Sequence, residues 1–265
     1  MEVLPLPSHD SGRGRLYIVS TGPGHLQQMT PRSLRALAES EYVIGNALYL
    51  DLVEPLLAGK EVIRSSMGRE VERAQLALEL ARGHVVSIVS GGDAGVYGMA
   101  SIVLEVLERS GEEIAVEVLP GITAAISAAS RLGSPLSGDF VVVSLSDLLT
   151  PWEEIERRLD LAFRMGVPVA IYNPRSRGRP HNLAKAVGIA RRHARPETPV
   201  GVVRAVYREG EETLVTTLGE FCDHVESVDM HSVVIIGGEE SRIWRTGEHV
   251  RGIITPRGYH RKYVY

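Results

Sequence analysis

SGGDAGVYG, Ser90 to Gly98, follows the apolar run Val85 to Val89 and precedes a stretch in which Met99, Ile102, Val103, Val106 and Leu107 recur at helical spacing. The order reads as strand, glycine loop, helix. Glycine lets a backbone turn sharply and approach a ligand closely, and a strand ending in such a loop is where open parallel sheets bind their ligands. A phosphate cradle of the GxxxxGK[ST] type needs a lysine. Here there is none, and the carboxylate of Asp93 sits inside the loop. The residue set points to a ligand with hydroxyls or positive charge, not to a triphosphate.

The same alternation continues on either side. Arg15 to Ser20 reads as a first strand, followed by a TGPG turn at Thr21 to Gly24. Thr30-Pro31 opens a helix, with threonine as N-cap and proline in the first helical position, running through Leu34, Leu37 and Ala38. Glu41 to Gly45 is a second strand, and Val71 to Ala81 has helical spacing with Gly83 as its C-cap. Ala115 to Leu119 is a further strand, broken by Pro120-Gly121. This pattern predicts a mostly parallel sheet covered by helices. Met1 to Gly14, with its proline, serine, glycine and charges, reads as a loose start.

The second half changes character. Phe140 to Leu145 and Val167 to Tyr172 are strand candidates around a helix over Thr150 to Met165, whose opening Thr150-Pro151-Trp152-Glu153 has the form of a capping box. His181 to His193 reads as another helix. Val200 to Val206 and Thr213 to Thr216 flank the polar turn Arg208 to Glu211 as a hairpin, and Ser232 to Ile236 ends in Gly237-Gly238. The fold class is α/β, with two domains. Residues 1–120 form a doubly wound domain on a mostly parallel sheet, and residues 121–265 form an α+β domain on a mixed sheet. The ligand cleft is expected between them.

Composition narrows the function classes. A chain of 265 residues that is 44% hydrophobic can bury a sizeable core, and a net charge of -4 gives no nucleic-acid signal. Cys222 is the only cysteine, which excludes an internal disulfide or an iron–sulfur cluster. No apolar run approaches the ~18 residues of a membrane span. A protein of the cytoplasm, without membrane or nucleic-acid partners, is expected.

Taken in order, these segments resemble the tetrapyrrole methyltransferases, which use S-adenosylmethionine. GPG (Gly22 to Gly24), GGDAGVYG (Gly91 to Gly98), PGITA (Pro120 to Ala124) and VVIIG (Val233 to Gly237) carry the likeness to the family. MTPR (Met29 to Arg32), YLDL (Tyr49 to Leu52), LSDLLTPW (Leu145 to Trp152), YNPRS (Tyr172 to Ser176) and TPRGY (Thr255 to Tyr259) are similar to one branch. That branch methylates carbon 17 of a precorrin and contracts its ring in cobalamin synthesis. Its substrate is precorrin-3B, giving precorrin-4, or the cobalt-bearing counterpart, cobalt-factor III. The resemblance implies cofactor contacts at Pro23, Gly91, Gly92, Asp93, Val96, Thr123, Ala124, Tyr172, Asn173 and Val206, and a homodimer. The uroporphyrinogen branch has an aspartate in the segment matching Gly45-Asn46 and a lysine later. Here Asn46 and about Ser65 stand there, so that acid–base pair does not carry over. The alternatives are a family member acting at another carbon, such as the carbon-11 methyltransferase of precorrin-4, or a diphthine synthase; LSDLLTPW and YNPRS speak against both. A dinucleotide-binding dehydrogenase would need GxGxxG, and TGPGHLQQ lacks the third glycine. A non-catalytic domain that kept the fold is a further class, against which the intact loops speak.

Methyl transfer from a sulfonium needs orientation rather than acid catalysis. Asp93 therefore either binds a ribose hydroxyl or stabilises its own loop. Ring contraction needs a hydroxyl deprotonated, and Asp147 with Ser146 is the first candidate pair; the other reading is that both only shape the entry to the following helix. His25 and His231 could face the ligand or the solvent. Arg175, Arg177 and Arg179 gather as a site for the substrate's carboxylates, with Arg204 and Arg208 near the hairpin. No histidine pair has the HxxxH spacing, so no protein-bound metal is expected and any cobalt belongs to the substrate.

Overall fold

Alternate residues of one strand pack on opposite faces of the first sheet. In β1 (Arg15–Ser20), Leu16 and Ile18 join one buried cluster while Tyr17 and Val19 join another. The computed structural model describes residues 14–264, so the loose start expected over residues 1–13 lies outside the described residues. The chain divides into two compact units, one running to Thr123 and one from Ala124.

The first unit continues with α1 (Pro31–Glu39), β2 (Tyr42–Asn46), α2 (Ala47–Leu52), β3 (Glu61–Ser65), α3 (Glu70–Ala81), β4 (Val85–Ser90), α4 (Ala100–Ser110) and β5 (Ala115–Leu119). The strands lie in the order β3-β2-β4-β1-β5, and every pairing is parallel. Thr30 caps α1 by accepting the Ser33 N–H, with Pro31 behind it, as the sequence implies. Two elements carried too little signal. β3 is a half-exposed edge strand with weak alternation, and α2 is a short helix opened by the Asn46 side chain accepting the Leu48 N–H. α3 ends on Arg82 in right-handed geometry, so Gly83 does not supply the left-handed cap; Gly111, at φ 66°, does so for α4.

The second unit holds α5 (Ala124–Leu132), β6 (Gly133–Ser134), β7 (Val141–Ser144), α6 (Trp152–Arg164), β8 (Val169–Tyr172), α7 (Asn182–His193), β9 (Pro199–Arg204), β10 (Glu212–Thr217), β11 (Ser232–Ile236), β12 (Arg242–Thr246) and β13 (His249–Ile254). Its main sheet runs β10-β9-β11-β8-β7 and is mixed: β7 and β8 are parallel, the other pairings antiparallel. A small sheet, β12-β13-β6, stands beside it in the order of pairing. Two expectations need correction. The capping box does not form, because Pro151 itself is the N-cap of α6 and offers no side-chain acceptor. The strand expected to reach Val206 stops at Arg204, because Ala205 and Tyr207 take φ of 48° and 56°, which no strand accommodates. Among the described residues no helix is long and apolar enough to cross a membrane.

Candidate functional site

In the first unit the helices that follow two neighbouring strands pack on opposite faces. Ala36 and Leu37 of α1 lie in the cluster with Tyr17 and Val19; Ala100 and Val103 of α4 lie in the cluster with Leu16 and Ile18. The carboxyl ends of β1 and β4 therefore open a crevice where the strand order reverses, the position at which such sheets take ligands. The two loops are tied across it. The Gly22 N–H donates to Gly92 O at 3.0 Å and the Gly92 N–H donates back to Gly22 O at 2.8 Å. Both glycines take positive φ, 68° and 66°, which side chains resist.

Asp93 has a definite role here. One oxygen accepts the Gly95 N–H and the other the Gly121 N–H, each at 2.8 Å. The carboxylate thus staples the glycine loop to itself and to the loop after β5. A Cβ on Gly121 would lie 2.5 Å from Gly92 O and from Ser20 Cβ, and one on Gly91 would lie 2.3 Å from the Tyr49 ring. These glycines are set by close chain packing, and the YLDL segment supplies the ring. Pro23 is buried, while Gly91, Gly92, Asp93, Val96 and Thr123 are half-buried. Tyr97 projects from the loop at φ 53°, 58% exposed. No lysine or arginine stands in Ser90 to Gly98 or Thr21 to Gly24. His25 caps the next short turn by accepting the Gln27 N–H.

In the second unit the expected residues gather beyond β7 and β8. Asn173, at φ 50°, donates from Nδ2 to Ser144 Oγ at 2.8 Å, and the Tyr172 hydroxyl accepts the N–H of Ala125 at 2.6 Å. Ser144 Oγ also accepts the Ser146 N–H. Asp147 accepts from Asn182 Nδ2 at 3.3 Å, and Asn182 also donates to Leu145 O. Leu148 and Leu149, the next two residues, are 77% and 93% exposed.

The arginines divide. Arg175 is taken by Glu226 and by Pro180 O, while Arg177 is exposed. Arg179 turns inward and donates to Ser146 Oγ at 2.6 Å. Composition and spacing could place these residues in one loop but not show which one folds back, and Ser144 and Asn182 gave no signal.

Val206 is buried in a turn between two residues with positive φ. Arg131 stacks on the Tyr207 ring at 4.1 Å, Glu211 accepts the Tyr207 N–H, and the Ala205 N–H donates to His231 O. Burial acts to raise the Asp229 carboxyl. Hydrogen bonds from Arg204, the His231 N–H and Ser232 outweigh it, so the carboxyl lies below the usual carboxylate range.

A cavity of about 380 Å³ lies elsewhere. It is lined by Gly166–Pro168 ahead of β8, Gly238–Glu240 beyond β11 and Thr255–Gly258, at the end of the sheet away from Tyr172 and Asn173, and none of the expected site residues lines it. Among the described residues no group of three or more His, Cys, Asp or Glu side chains could hold a metal ion.

Residues 15–222 match the family model for tetrapyrrole (corrin/porphyrin) methylases. A relative in Archaeoglobus fulgidus, "cobalamin biosynthesis protein CbiHC", is 44% identical over 98% of this chain; the chain spans 55% of that relative's length. A "probable cobalt-factor III C(17)-methyltransferase" of Salmonella typhimurium is 44% identical over 92% of this chain and 99% of the relative. Among solved structures, the methyltransferase CobJ superposes with a TM-score of 0.82 at 35% identity, covering 92% of this chain and all of that one. A uroporphyrin-III C-methyltransferase from Thermus thermophilus, complexed with S-adenosylhomocysteine, gives 0.65 at 26% identity over 84% of this chain and 97% of its own.

Proposed function

The chain belongs to the tetrapyrrole (corrin/porphyrin) methylase family, and from that premise we propose that it transfers the methyl group of S-adenosylmethionine to carbon 17 of a precorrin and promotes the ring contraction that follows, in cobalamin biosynthesis. The observation that carries the reading is the crevice at Gly22, Gly92 and Gly121, built from backbone groups and one carboxylate with no basic side chain in its two glycine loops. That donor set fits a ligand bearing hydroxyls, an ammonium and a sulfonium, and it does not fit a nucleoside triphosphate. Of the cofactor contacts that the family resemblance implies, Pro23, Gly91, Gly92, Asp93, Val96 and Thr123 belong to the unit that holds this crevice, and Ala124, Tyr172, Asn173 and Val206 rest on the resemblance alone. The likeness to proteins named for carbon-17 methylation supplies the substrate.

When bound, the cofactor supplies an activated methyl group. The chain's own contribution to that step is orientation and exclusion of water, which supplies roughly 7–11 kcal/mol when the reacting atoms are held in line. Both Asp93 oxygens are engaged by backbone N–H groups. Its part is to keep the loop in shape; a carboxylate against the sulfonium would favour the ground state, whose charge is lost as the methyl leaves. In the contraction Asp147 accepts the hydroxyl proton, with Ser146 beside it as hydrogen-bond donor. Of the two arginines expected to meet the carboxylates of the macrocycle, Arg177 is exposed and takes that part, while Arg175 is spent on Glu226 and Pro180 O; Leu148 and Leu149 meet the apolar face. Any cobalt is the substrate's own. The assembly is read as a homodimer of the cytoplasm, on the family resemblance.

Incubation with S-adenosylmethionine and either precorrin-3B or cobalt-factor III, followed by mass analysis, tests the reading. A gain of one methyl on one of them is expected. A gain on neither, or on a different precorrin instead, refutes it.

A further inference from the structure

The turn after β8 folds back on itself, with Ser176 and Arg179 paired through both of their backbone groups. That fold-back sends the Arg179 side chain inward, leaving it 15% exposed. One terminal nitrogen donates to Ser146 Oγ at 2.6 Å and the other lies 3.3 Å from Met230 Sδ. The third nitrogen, Nε, is buried with no hydrogen-bond partner among the described residues, 4.0 Å from Asp147 Oδ1. A guanidinium so spent on the protein is not a free fork for a substrate carboxylate. What it does instead follows from its partners. Ser146 Oγ accepts from Arg179, and no described group accepts the serine proton, so that proton is left to donate to a ligand oxygen. A hydroxyl that already accepts from a cation is the stronger donor. Asp147 has one oxygen on Asn182 and the other 4.0 Å from Arg179 Nε.

We propose that Arg179 is a positioning residue that acts through Ser146 and Asp147, directing the serine hydroxyl outward and holding the carboxylate beside it for the ring-contraction step rather than for methyl transfer. This assignment rests on the function proposed above. It predicts that the two steps of the reaction separate when the guanidinium is removed, because orientation of the cofactor depends on other residues.

Wild type, Arg179→Gln and Arg179→Lys are each run through a single turnover with S-adenosylmethionine and whichever of precorrin-3B and cobalt-factor III the wild type methylates. Methyl transfer is read from S-adenosylhomocysteine released, contraction from the visible spectrum of the macrocycle, and retention of fold from S-adenosylhomocysteine binding by calorimetry. In Arg179→Gln, contraction is expected to slow at least tenfold relative to methyl transfer, with cofactor affinity within about twofold of wild type. Arg179→Lys, which keeps a cation and a donor, restores part of the contraction rate. Equal slowing of both steps, unchanged contraction in Arg179→Gln, or no difference between the two variants overturns the assignment while the proposed function stands. A wild type that transfers no methyl at all overturns the function and this assignment with it.

Discussion

At the scale of single residues, Asp93 has the clearest consequence. Its two oxygens satisfy the exposed Gly95 N–H and the part-buried Gly121 N–H, and the loss of a typical intramolecular hydrogen bond costs roughly 0.5–1.5 kcal/mol. Asp93→Ala is expected to weaken S-adenosylhomocysteine binding by about tenfold or more in calorimetry while the protein stays folded; unchanged affinity contradicts the stapling role. Gly121→Ala places a methyl group 2.5 Å from Gly92 O, an overpacking that costs roughly 1–3 kcal/mol. Its melting temperature should fall by several degrees, and an unshifted melt means the two loops are not held as described. The sequence left Asp93 with two roles because turn-capping and ligand-binding aspartates look alike in a string of letters. Only the positions of Gly95 and Gly121 separate them. In the same way, Arg175, Arg177 and Arg179 are equal in sequence, and the return of the chain at Ser176 and Arg179 makes them different.

At the scale of elements, the strands marked by short apolar runs were legible: β1, β5 and β11 span the ranges those runs mark out. β3, α2 and the β12–β13 pair were not, since each is short and partly exposed and offers little periodicity. β9 stopped short for a reason the letters hide, namely the two left-handed residues around Val206. That turn should be acid-sensitive. Asp229 is held below its ordinary range, so it contributes stability that is fully present above an unfolded value of about 3.9 and is lost as the pH falls through its folded value. Between pH 6 and 3 the melting temperature of wild type should fall more steeply than that of Asp229→Asn at the acid end; parallel curves would count against the ion pair with Arg204. The loop between β7 and α6 makes a different prediction. Replacing Leu148 and Leu149 by serine should raise the KM for the tetrapyrrole several-fold and leave S-adenosylhomocysteine affinity unchanged. An unchanged KM removes that loop from the substrate's path.

At the scale of the whole molecule, both main sheets follow from the order of strands and helices along the chain. The parallel sheet comes from strands separated by helices, and the mixed sheet from the one hairpin that reverses direction. The cavity beside Thr255 to Gly258 lies at the end of the second sheet away from Tyr172 and Asn173. The chemistry instead points to the crevice where β1 and β4 send their helices to opposite faces, because there two glycine loops without a basic side chain are held in shape by Asp93. The most direct measurement is a crystal structure with S-adenosylhomocysteine bound. The nucleoside is expected against Gly22, Gly92 and the loop at Gly121. Density for it at the Thr255–Gly258 cavity, or none at the crevice under saturating ligand, contradicts the account.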